Sequence, residues 1–474
     1  MKTILLTGAT GTMGMAAVRE YIENPRNGKL LLLVRDSAKN RKKMAAIARM
    51  PSIEIIWGDL MDEKKVAECV GRADIVLHLG GMVSPAADYE PEKTMRVNVG
   101  AMRNIINAVN KLPDPGKCAV VYIGSVSQYG PRTVPDHWAD AGELMVAEAF
   151  GCYGLSKIKA ERELAESGLP RWVSLRLGSI LSADLLKKGT DPIAMHVPLR
   201  GVLEWTTDGD CGRLLMNFFN YDLPDKFWKR FYNIGSGDTF RLTYLDFEQR
   251  LLKAIGAPPP EKIFDTRWFA YDNFHGAWFR DSDLLESYLH FREGIDVDTH
   301  FQRMRQGLPW YFHLTPLAPA PLIRRMMKKS AQRWPLGTLS WIEESAPEKP
   351  DSERKRIACR RVEAFFGSRE QWERIPGWRP FLDMKIDNRE ITPSIAPFAF
   401  INDENEITPD ILRQGARRLG GRLISEPEFS RGEKLMESVL EWECAAGHRF
   451  RLRPASLIRG GHWCPECNEI ECYS

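Results

Sequence analysis

The amino-acid sequence predicts an α/β protein whose first part forms a doubly wound parallel sheet. Short apolar segments alternate with longer amphipathic segments through the first ~180 residues. Strands that are apolar on both faces occur in parallel sheets covered by helices on both sides. Because crossovers between parallel strands are right-handed, a doubly wound sheet is the leading topology.

Individual elements of this sheet can be assigned from the same alternation. Continuous apolar segments predict strands, and intervening segments with helical spacing predict helices. The predicted strands are Thr3–Thr7, Lys29–Val34, Ile53–Ile56, Ile75–Leu79, Ala119–Ile123 and Trp172–Leu177. The predicted helices are Thr12–Ile22, Glu63–Val70, Lys93–Val109 and Gly154–Glu166.

The second part of the chain has a different pattern. From Leu181 to Pro319 it is irregular and rich in aromatic residues, which predicts a smaller lobe over the carboxyl edge of the sheet. Asp351–Phe366 has helical spacing. A later helix is marked by Thr408 as N-cap and Pro409 at its first position, and it ends at the glycines that follow.

Composition excludes several classes of protein. Of the 474 residues, 43% are hydrophobic and 27% are charged, as in an ordinary globular protein. The net charge of +3 implies no strong attraction to nucleic acids or membrane surfaces. No apolar segment approaches the ~18 residues of a membrane span. We therefore expect a cytoplasmic protein with reduced thiols and no membrane or nucleic-acid partner, and homo-oligomerisation is left open.

A glycine-rich turn follows the first strand. Thr7-Gly8-Ala9-Thr10-Gly11-Thr12-Met13-Gly14 lies between a strand and a helix at the start of a βαβ unit. Such glycines allow a tight turn and let a pyrophosphate approach the positive N-terminus of the helix. The pattern indicates a dinucleotide-binding Rossmann domain. The predicted contacts are Gly8, Thr10, Gly11, Thr12, Met13 and Gly14.

The end of the second strand bears on which dinucleotide binds. An acid there accepts hydrogen bonds from the ribose of NAD, whereas an arginine pairs with the 2′-phosphate of NADP. Arg35 comes first, Asp36 follows, and a run of basic residues comes next. We predict NADP(H) with Arg35 as a contact. The alternative is a solvated basic face with Asp36 on a plain ribose, and so NAD(H).

Further motifs follow in a fixed order. These motifs are Gly58-Asp59-Leu60, His78-Leu79-Gly80-Gly81, Asn98-Val99-Gly100, Val121–Ser125 with Tyr129-Gly130, and Tyr153-Gly154-Leu155-Ser156-Lys157. Together they resemble the extended short-chain dehydrogenase/reductases, the NAD(P)-dependent epimerase/dehydratase-like group. The resemblance covers residues 3 to about 180, with looser similarity at Tyr232–Gly235. The predicted cofactor contacts accordingly also include Asp59, Leu60, Leu79, Gly80, Gly81, Tyr153, Lys157 and Gly178.

Tyr153 and Lys157 form the predicted acid/base pair. They are four residues apart, so they share one face of a helix. A neighbouring ammonium favours the phenolate and should lower the tyrosine pKa toward neutrality. Ser125 is predicted to hydrogen-bond the substrate oxygen, with Ser127 as its rival. The resemblance implies that Asn98 supports the lysine through a backbone-bound water.

The resemblance implies hydride transfer between a nicotinamide and a carbonyl or alcohol carbon of a small-molecule substrate. Many members that act on nucleotide sugars have an Asn and a Tyr-Gly-Pro turn after an arginine, and Leu175–Leu181 lacks both. With the aromatic lobe, this departure favours a small, largely apolar substrate. Two alternatives stay open: an epimerase or dehydratase of nucleotide sugars that retains NAD, and a dinucleotide-sensing scaffold with a zinc-dependent partner-binding module.

The C-terminal region carries a Cys/His cluster. Cys444, His448, Cys464 and Cys467 are four ligands of the types that hold a structural zinc ion. The segment resembles zinc-ribbon and treble-clef modules, and His462 and Cys472 are nearby substitutes. With four protein ligands no position is left open for catalysis. Cys152, beside Tyr153, is expected to be a buried structural cysteine.

These observations predict four regions along the chain. Residues 1–240 form the Rossmann NADP-binding and catalytic domain, and 241–330 complete the substrate lobe together with parts of 181–232. Residues 331–400 form a helical extension or linker, and 401–474 form a zinc-ribbon-like α+β domain. The fold class is thus a doubly wound sheet with a smaller substrate lobe and a C-terminal zinc-binding region.

Overall fold

The computed structural model describes residues 1–188, 191–401 and 403–469. Its centre is a seven-stranded parallel sheet. The strands of the described residues are β1 (Lys2–Thr7), β2 (Gly28–Val34), β3 (Ile53–Trp57), β4 (Ile75–His78), β5 (Ala119–Ser125), β6 (Trp138–Ala139), β7 (Trp172–Leu177), β8 (Ser179–Leu181), β9 (Val202–Thr207), β10 (Arg230–Ile234), β11 (Arg241–Thr243), β12 (Trp278–Phe279), β13 (Arg422–Leu423), β14 (Leu440–Glu443) and β15 (Arg449–Leu452).

Helices cover this sheet and build the rest of the chain. In the first part they are α1 (Thr12–Glu23), α2 (Ala38–Met44), α3 (Glu63–Val70), α4 (Ala86–Tyr89), α5 (Pro91–Asn110), α6 (Cys152–Ala165), α7 (Asp184–Lys188), α8 (Asp208–Asn217), α9 (Tyr244–Ile255) and α10 (Pro260–Ile263). Later helices are α11 (Ser282–Leu289), α12 (Val297–Gln306), α13 (Ala320–Ala331), α14 (Thr338–Glu344), α15 (Glu353–Phe366), α16 (Arg369–Glu373), α17 (Trp378–Leu382), α18 (Pro409–Arg418), α19 (Gly432–Glu437) and α20 (Pro454–Gly460).

The order of strands in the sheet is β10-β7-β5-β4-β1-β2-β3. Alternate residues of each strand enter the two apolar cores on opposite faces, as Leu5 and Leu6 of β1 do. Helices α1 and α8 cover one face, and α3, α5 and α6 cover the other. The chain runs outward in opposite directions from β1 and β4, so the crevice between their carboxyl ends is where such folds bind ligands.

The predicted doubly wound fold class is confirmed, and each predicted strand is present in the sheet. Sequence reasoning missed one strand of the sheet, Arg230–Ile234, at its edge. This strand is five residues long and lies in the segment that looked irregular because aromatic side chains crowd it. It pairs with β7, and this contact with a distant segment leaves no pattern in the local sequence.

A second lobe lies at the carboxyl edge of the sheet. Its core draws on segments from Val126 to Leu339 and includes many of the aromatic residues noted in the sequence. The three-stranded sheet β8-β9-β11 forms part of this lobe. No helix of the described residues is both long and apolar enough to cross a bilayer.

The C-terminal part forms a small unit with its own core, which runs from Phe398 to Cys464. Its strands β13, β14 and β15 make an antiparallel sheet. Helix α18 begins as predicted: the Thr408 side chain accepts a hydrogen bond from the Ile411 backbone, and Pro409 takes the first position. The last part of the predicted zinc-ribbon-like region, residues 470–474, lies outside the described residues.

Candidate active site

The glycine turn joins β1 to α1 at the carboxyl edge of the sheet. Gly8 has a φ of +71°, and a Cβ there would lie 2.8 Å from the Gly80 backbone nitrogen. A Cβ on Gly14 would lie 2.3 Å from the Gly8 carbonyl oxygen. Helix α1 has no side-chain cap at Gly11, so its first N–H groups lack a side-chain acceptor. The turn therefore has the shape and polarity that a pyrophosphate requires.

One hydroxyl ties the ends of β1 and β4 together. Thr7 Oγ1 accepts hydrogen bonds from the backbone nitrogens of Leu79, at 3.2 Å, and Gly80, at 3.0 Å. It also lies 2.9 Å from Nδ1 of the buried His78. These bonds fix the crevice between the two strands against the glycine turn.

A cavity of about 1120 Å³ extends from this crevice into the second lobe. It brings together most of the residues predicted from the sequence. These are Gly8, Thr10, Gly11, Thr12, Met13, Gly14, Leu79, Gly80, Gly81, Ser125, Tyr153, Lys157 and Gly178. Of the other predicted site residues, Arg35, Asp59, Leu60 and Asn98 are not among the described residues that line it.

At the end of β2, the Asp36 carboxylate is paired with Arg41 and the Arg35 guanidinium is exposed. Asp36 accepts hydrogen bonds from Arg41 Nε at 2.6 Å and Nη2 at 2.7 Å. This pairing lowers the pKa of Asp36. Arg41 also stacks 4.7 Å from the centre of the Trp57 ring. The Arg35 side chain is exposed and has no hydrogen-bond or ion-pair partner among the described residues.

Asp59 and Leu60 shape the loop beside the glycine turn. The Asp59 carboxylate accepts a hydrogen bond from the Met61 backbone at 2.9 Å. The Leu60 carbonyl accepts one from the Asn104 side chain at 2.9 Å, and a Cβ on Gly80 would meet Leu60 Cδ1 at 2.5 Å. Both residues thus support the edge of the crevice.

Asn98 is buried and braces the segment after β4. Its Oδ1 accepts a hydrogen bond from the Met82 backbone nitrogen at 2.7 Å, and its Nδ2 donates to the Met82 carbonyl at 3.0 Å. Nδ2 also lies 2.9 Å from Ser156 Oγ on α6. The amide therefore connects the Gly81 loop to the helix that carries Tyr153 and Lys157.

Lys157 is buried on the first half of α6. Its ammonium donates to the Ile123 carbonyl of β5 at 2.9 Å. It lies 4.8 Å from the centre of the Tyr122 ring and 5.9 Å from that of Tyr153. Burial lowers the pKa of Lys157 to about 8, because desolvation disfavours the charged form.

Tyr153 lies one turn before Lys157 on the same helix and lines the cavity. Burial raises the pKa of Tyr153 to about 12, and its interaction with the Ser125 hydroxyl opposes that rise. The predicted lowering of this pKa is therefore wrong, because burial disfavours the charged phenolate. The phenol stays protonated at neutral pH.

Ser125 ends β5 at the cavity wall. Its Oγ accepts hydrogen bonds from the backbone nitrogen of Ser127, at 3.2 Å, and from the Ser127 hydroxyl, at 2.9 Å. Ser127 is fully buried and is not among the described lining residues, whereas Ser125 is. The two hydroxyls thus form a short chain in which only Ser125 reaches the cavity.

The far end of the cavity is apolar with isolated polar groups. Its walls include Trp205, Phe247 and Leu251. The Trp205 indole nitrogen is buried without a hydrogen-bond partner among the described residues. Glu248 also lines the cavity, and burial raises the pKa of its carboxyl to about 7. Sequence reasoning missed these groups because no motif marks them.

Two further lining residues come from segments that no motif covers. Asp88 lies on the short helix α4, and burial raises its pKa to about 6. Arg361 lies on α15, in the segment predicted to be a helical extension. The buried His196 also lines the cavity; its Nε2 lies 2.7 Å from the Leu336 carbonyl, and burial lowers its pKa to about 4.

Cys152 precedes Tyr153 and is buried, as expected. It is disulfide-bonded, so it offers no nucleophilic thiol to the cavity. The reduced state expected from the sequence therefore does not hold for Cys152, whereas the other described cysteines are free.

The four predicted metal ligands lie together in the C-terminal unit. Cys444, His448, Cys464 and Cys467 place their ligand atoms within 4.8 Å of one another. The Cys444 and Cys467 sulfurs are 3.5 Å apart, and His448 Nδ1 is 3.6 Å from the Cys464 sulfur and 3.4 Å from the Cys467 sulfur. Tetrahedral zinc would separate two sulfurs by ~3.8 Å, and a sulfur from a nitrogen by ~3.6 Å. The donor set therefore fits zinc.

The two substitute ligands considered in the sequence do not join this cluster in the described residues. His462 is buried and lies 3.1 Å from Glu161 Oε1, where it takes part in a separate network. Cys472 lies outside the described residues. On the other side of the imidazole, His448 Nε2 is 3.8 Å from the Glu466 carboxylate, which is within ion-pair range but too far for a hydrogen bond.

Comparison with known proteins identifies the N-terminal part of the chain. Residues 4–195 match the model of the NAD dependent epimerase/dehydratase family. This region is therefore similar to that family. It is 30% identical over 108 residues to a UDP-N-acetylglucosamine 4,6-dehydratase (inverting) of Campylobacter jejuni, which covers 23% of this chain and 32% of the relative. It is 26% identical over 114 residues to a UDP-glucose 4-epimerase of Rickettsia canadensis, covering 23% and 33%.

The chain thus spans about a third of the length of these curated relatives. Solved structures match over a longer range. A dTDP-glucose 4,6-dehydratase from Bacillus anthracis in complex with NAD has a TM-score of 0.52 at 13% identity, covering 66% of this chain and 96% of that one. A UDP-glucose 4-epimerase from Bifidobacterium longum, in complex with NAD+ and UDP, has a TM-score of 0.50 at 16% identity, covering 64% and 97%. At these identities the likeness establishes the fold.

Proposed function

We propose that the protein is an NADP(H)-dependent oxidoreductase of the extended short-chain dehydrogenase/reductase type. It transfers hydride between the nicotinamide and a carbonyl or alcohol carbon of a small, largely apolar substrate. The observation that carries this proposal is the single cavity that joins the glycine turn to Tyr153 and Lys157 and continues between apolar walls. Cofactor and substrate would meet at the carboxyl edge of the sheet.

The residues around the cavity divide the work. Tyr153 holds the proton that the substrate oxygen receives in the reducing direction, and its high pKa keeps that proton in place at neutral pH. Ser125 positions the same oxygen, and Lys157 supplies positive charge beside the phenol. A bound nicotinamide would supply or accept the hydride. Asn98 positions the loop and helix that frame this site.

The preference for NADP(H) rests on the end of β2. The Asp36 carboxylate accepts hydrogen bonds from Nε and Nη2 of Arg41, which leaves it poorly placed to accept hydrogen bonds from ribose hydroxyls. Arg35 beside it is exposed, and Lys43 donates to the Thr10 carbonyl of the glycine turn at 2.6 Å. This cluster of positive charge suits a 2′-phosphate.

The apolar substrate is supported by the walls of the second lobe and by the use made of Arg176. That arginine is fully buried and paired with Glu161 at 2.7 Å, and it also donates to the Gly460 carbonyl at 2.7 Å. Arg176 is therefore held by the protein itself and offers no charge to a substrate. Phe247, Leu251 and Phe269 line the cavity that a substrate would enter.

For the C-terminal unit, we propose a structural zinc ion held by Cys444, His448, Cys464 and Cys467. With four protein ligands the ion has no open position, so its role is to hold the fold of residues 401–474. The proposed regions of the chain are otherwise the Rossmann and catalytic domain at 1–240, the remainder of the substrate lobe at 241–330 and the helical extension at 331–400.

The test is a pair of titrations followed by a screen. Purified full-length protein is first checked for bound nucleotide and then titrated with NADPH and NADH by fluorescence. Reversible binding that favours NADPH, followed by NADPH oxidation with apolar aldehydes or ketones, supports the proposal. Protein that carries tightly bound NAD and shows no exchange with NADPH would overturn it.

A second candidate is a nucleotide-sugar epimerase or dehydratase that retains NAD and returns the hydride to its own product. It is favoured by the relatives, a UDP-N-acetylglucosamine 4,6-dehydratase and a UDP-glucose 4-epimerase. Conversion of UDP-sugars without net change in added NADPH would support this candidate. The same assay separates it from the oxidoreductase, which consumes NADPH in proportion to product.

A further inference from the structure

Arg361 is a buried arginine that faces the cavity from outside the matched family region. It lies on α15 (Glu353–Phe366) and lines the same cavity as Tyr153. Only 5% of its surface is exposed. Apart from Lys157, it is the only lysine or arginine among the described residues of the lining.

The Arg361 guanidinium is held by two ring faces and by the charge of Asp88 rather than by hydrogen bonds within the described part of the chain. Among the described residues, no carboxylate or other acceptor hydrogen-bonds to it, and its Nε is buried without a partner. Its central carbon lies 4.9 Å from the centre of the Phe150 ring and 5.2 Å from that of Trp341. Aromatic faces attract the positive charge, but they do not accept conventional hydrogen bonds from the five N–H groups of the guanidinium. A buried charge left in this state is costly unless a ligand completes it.

The position of Arg361 is close to the proposed chemistry. Phe150, on which it stacks, precedes Tyr153 by three residues. Asp88 interacts electrostatically with both Tyr153 and Arg361, and its Oδ2 is also buried without a hydrogen-bond partner among the described residues. Burial lowers the pKa of Arg361 only to about 10, so the guanidinium is charged at neutral pH.

We propose that Arg361 binds a carboxylate carried by the apolar substrate. A planar guanidinium between aromatic rings matches one carboxylate through two parallel hydrogen bonds. Acidic groups at Asp88, Glu148 and Glu248 line the same cavity, so a group with two negative charges would be repelled more than a single carboxylate. The substrate class is therefore an amphipathic acid: an apolar body with one carboxylate. This inference rests on the proposed function.

The test compares two ligands that differ only in their charged end. Decanoate and 1-decanol are titrated into full-length protein by calorimetry with NADP+ present. We expect the wild type to bind decanoate about tenfold or more tighter than 1-decanol, as a charge-assisted bidentate pair should. Arg361→Met should remove this preference and leave 1-decanol binding within about twofold.

Two further variants make the result specific. Arg356→Met removes an exposed arginine from the same helix and should leave the preference unchanged. Arg361→Lys keeps the charge without the planar fork and should retain part of the preference. Equal binding of the two ligands by the wild type overturns the proposal, and so does an undiminished preference in Arg361→Met.

Binding of NADPH is measured on each variant to separate the two proposals. If Arg361 acts on the carboxylate, Arg361→Met binds NADPH like the wild type and differs only toward decanoate. A wild type that does not bind NADPH would count against the proposed oxidoreductase. A wild type that binds NADPH but does not prefer decanoate would count against the role of Arg361 alone.

Discussion

The N-terminal sheet and the C-terminal unit solve the problem of stability by different means. The sheet separates two large apolar cores, one on each face. The C-terminal unit has one small core and a cluster of four Cys and His ligands. A small unit buries a smaller share of its surface, so a metal is a common supplement. The proposed zinc ion would therefore give the extension a stabilising element that its small core alone does not supply.

These two regions meet on α6. One part of this helix directs Tyr153 and Lys157 toward the cavity, while its last turns contact the C-terminal unit. Arg162 donates to the Trp463 carbonyl at 2.6 Å and to the Arg451 carbonyl at 3.1 Å. Glu161 pairs with Arg176 at 2.7 Å within the sheet domain. The helix proposed to carry catalysis is therefore held from both sides.

The largest effect should come from Tyr153→Phe, which tests the acid/base role proposed for the N-terminal region. Removing the phenolic proton should lower turnover by about 10²- to 10⁴-fold while NADPH affinity stays within about twofold. Steady-state kinetics and fluorescence titration measure the two quantities. Tyr221→Phe, outside the described cavity lining, is the control. An equal loss of cofactor binding in Tyr153→Phe would undercut the assigned role.

Removal of the proposed zinc ion should destabilise the C-terminal unit. In Cys464→Ser, one ligand is lost, so zinc content should fall and the melting temperature of the C-terminal unit should drop. Turnover should fall by about tenfold or more, because α6 loses its support on that side. Elemental analysis, calorimetry and kinetics provide the readouts. Cys359→Ser, at an exposed cysteine, should change none of them. Full activity in metal-free Cys464→Ser would show the two regions to be independent.

The contact between the regions can be tested without touching the metal. Arg162→Met removes two hydrogen bonds from a charged donor and should lower the free energy of unfolding by about 2–4 kcal/mol. Arg103→Met removes an exposed ion pair with Glu163 at the same helix and should cost about 0–1 kcal/mol. Urea unfolding measures both. Similar values for the two variants would argue that the C-terminal unit does not hold α6.

Much of the sheet could be predicted from sequence because its signals are local. Apolar strands, the glycine turn and the four-residue spacing of Tyr153 and Lys157 are each readable within a short window. The Cys/His spacing of the C-terminal unit is local in the same way. The pairing of these ligands in space then follows from a hairpin, β14 and β15, that brings Cys444 and His448 together.

What could not be predicted depends on contacts between distant segments. Arg361 reaches the cavity only because α14 and α15 pack beside the loop that carries Phe150. The pKa of Tyr153 was predicted to fall, and it rises because burial removes water from the phenol. The edge strand Arg230–Ile234 exists because β7 offers it a partner. None of these has a signature within one stretch of sequence.

A smaller effect concerns the charge that the N-terminal region keeps buried. The pKa of Lys157 is lowered from its usual 10.5 to about 8, so the charged form is less favourable in the fold than in the unfolded chain. This cost of about 3 kcal/mol is full below pH 8 and disappears as pH rises to 10.5. The stability of Lys157→Met relative to the wild type should therefore decrease by that amount between pH 7 and 10.5. A pH-independent difference in urea unfolding would contradict this.

The smallest effect should distinguish the two dinucleotides at the end of β2. Arg35→Ala removes an exposed guanidinium next to Asp36, which Arg41 already holds. Because a 2′-phosphate needs that charge and a plain ribose does not, NADPH affinity should fall about tenfold and NADH affinity by less than about twofold. Lys39→Ala, also exposed on the following helix, is the matched control and should change either affinity less. A uniform loss of affinity for both cofactors would remove Arg35 as the phosphate contact.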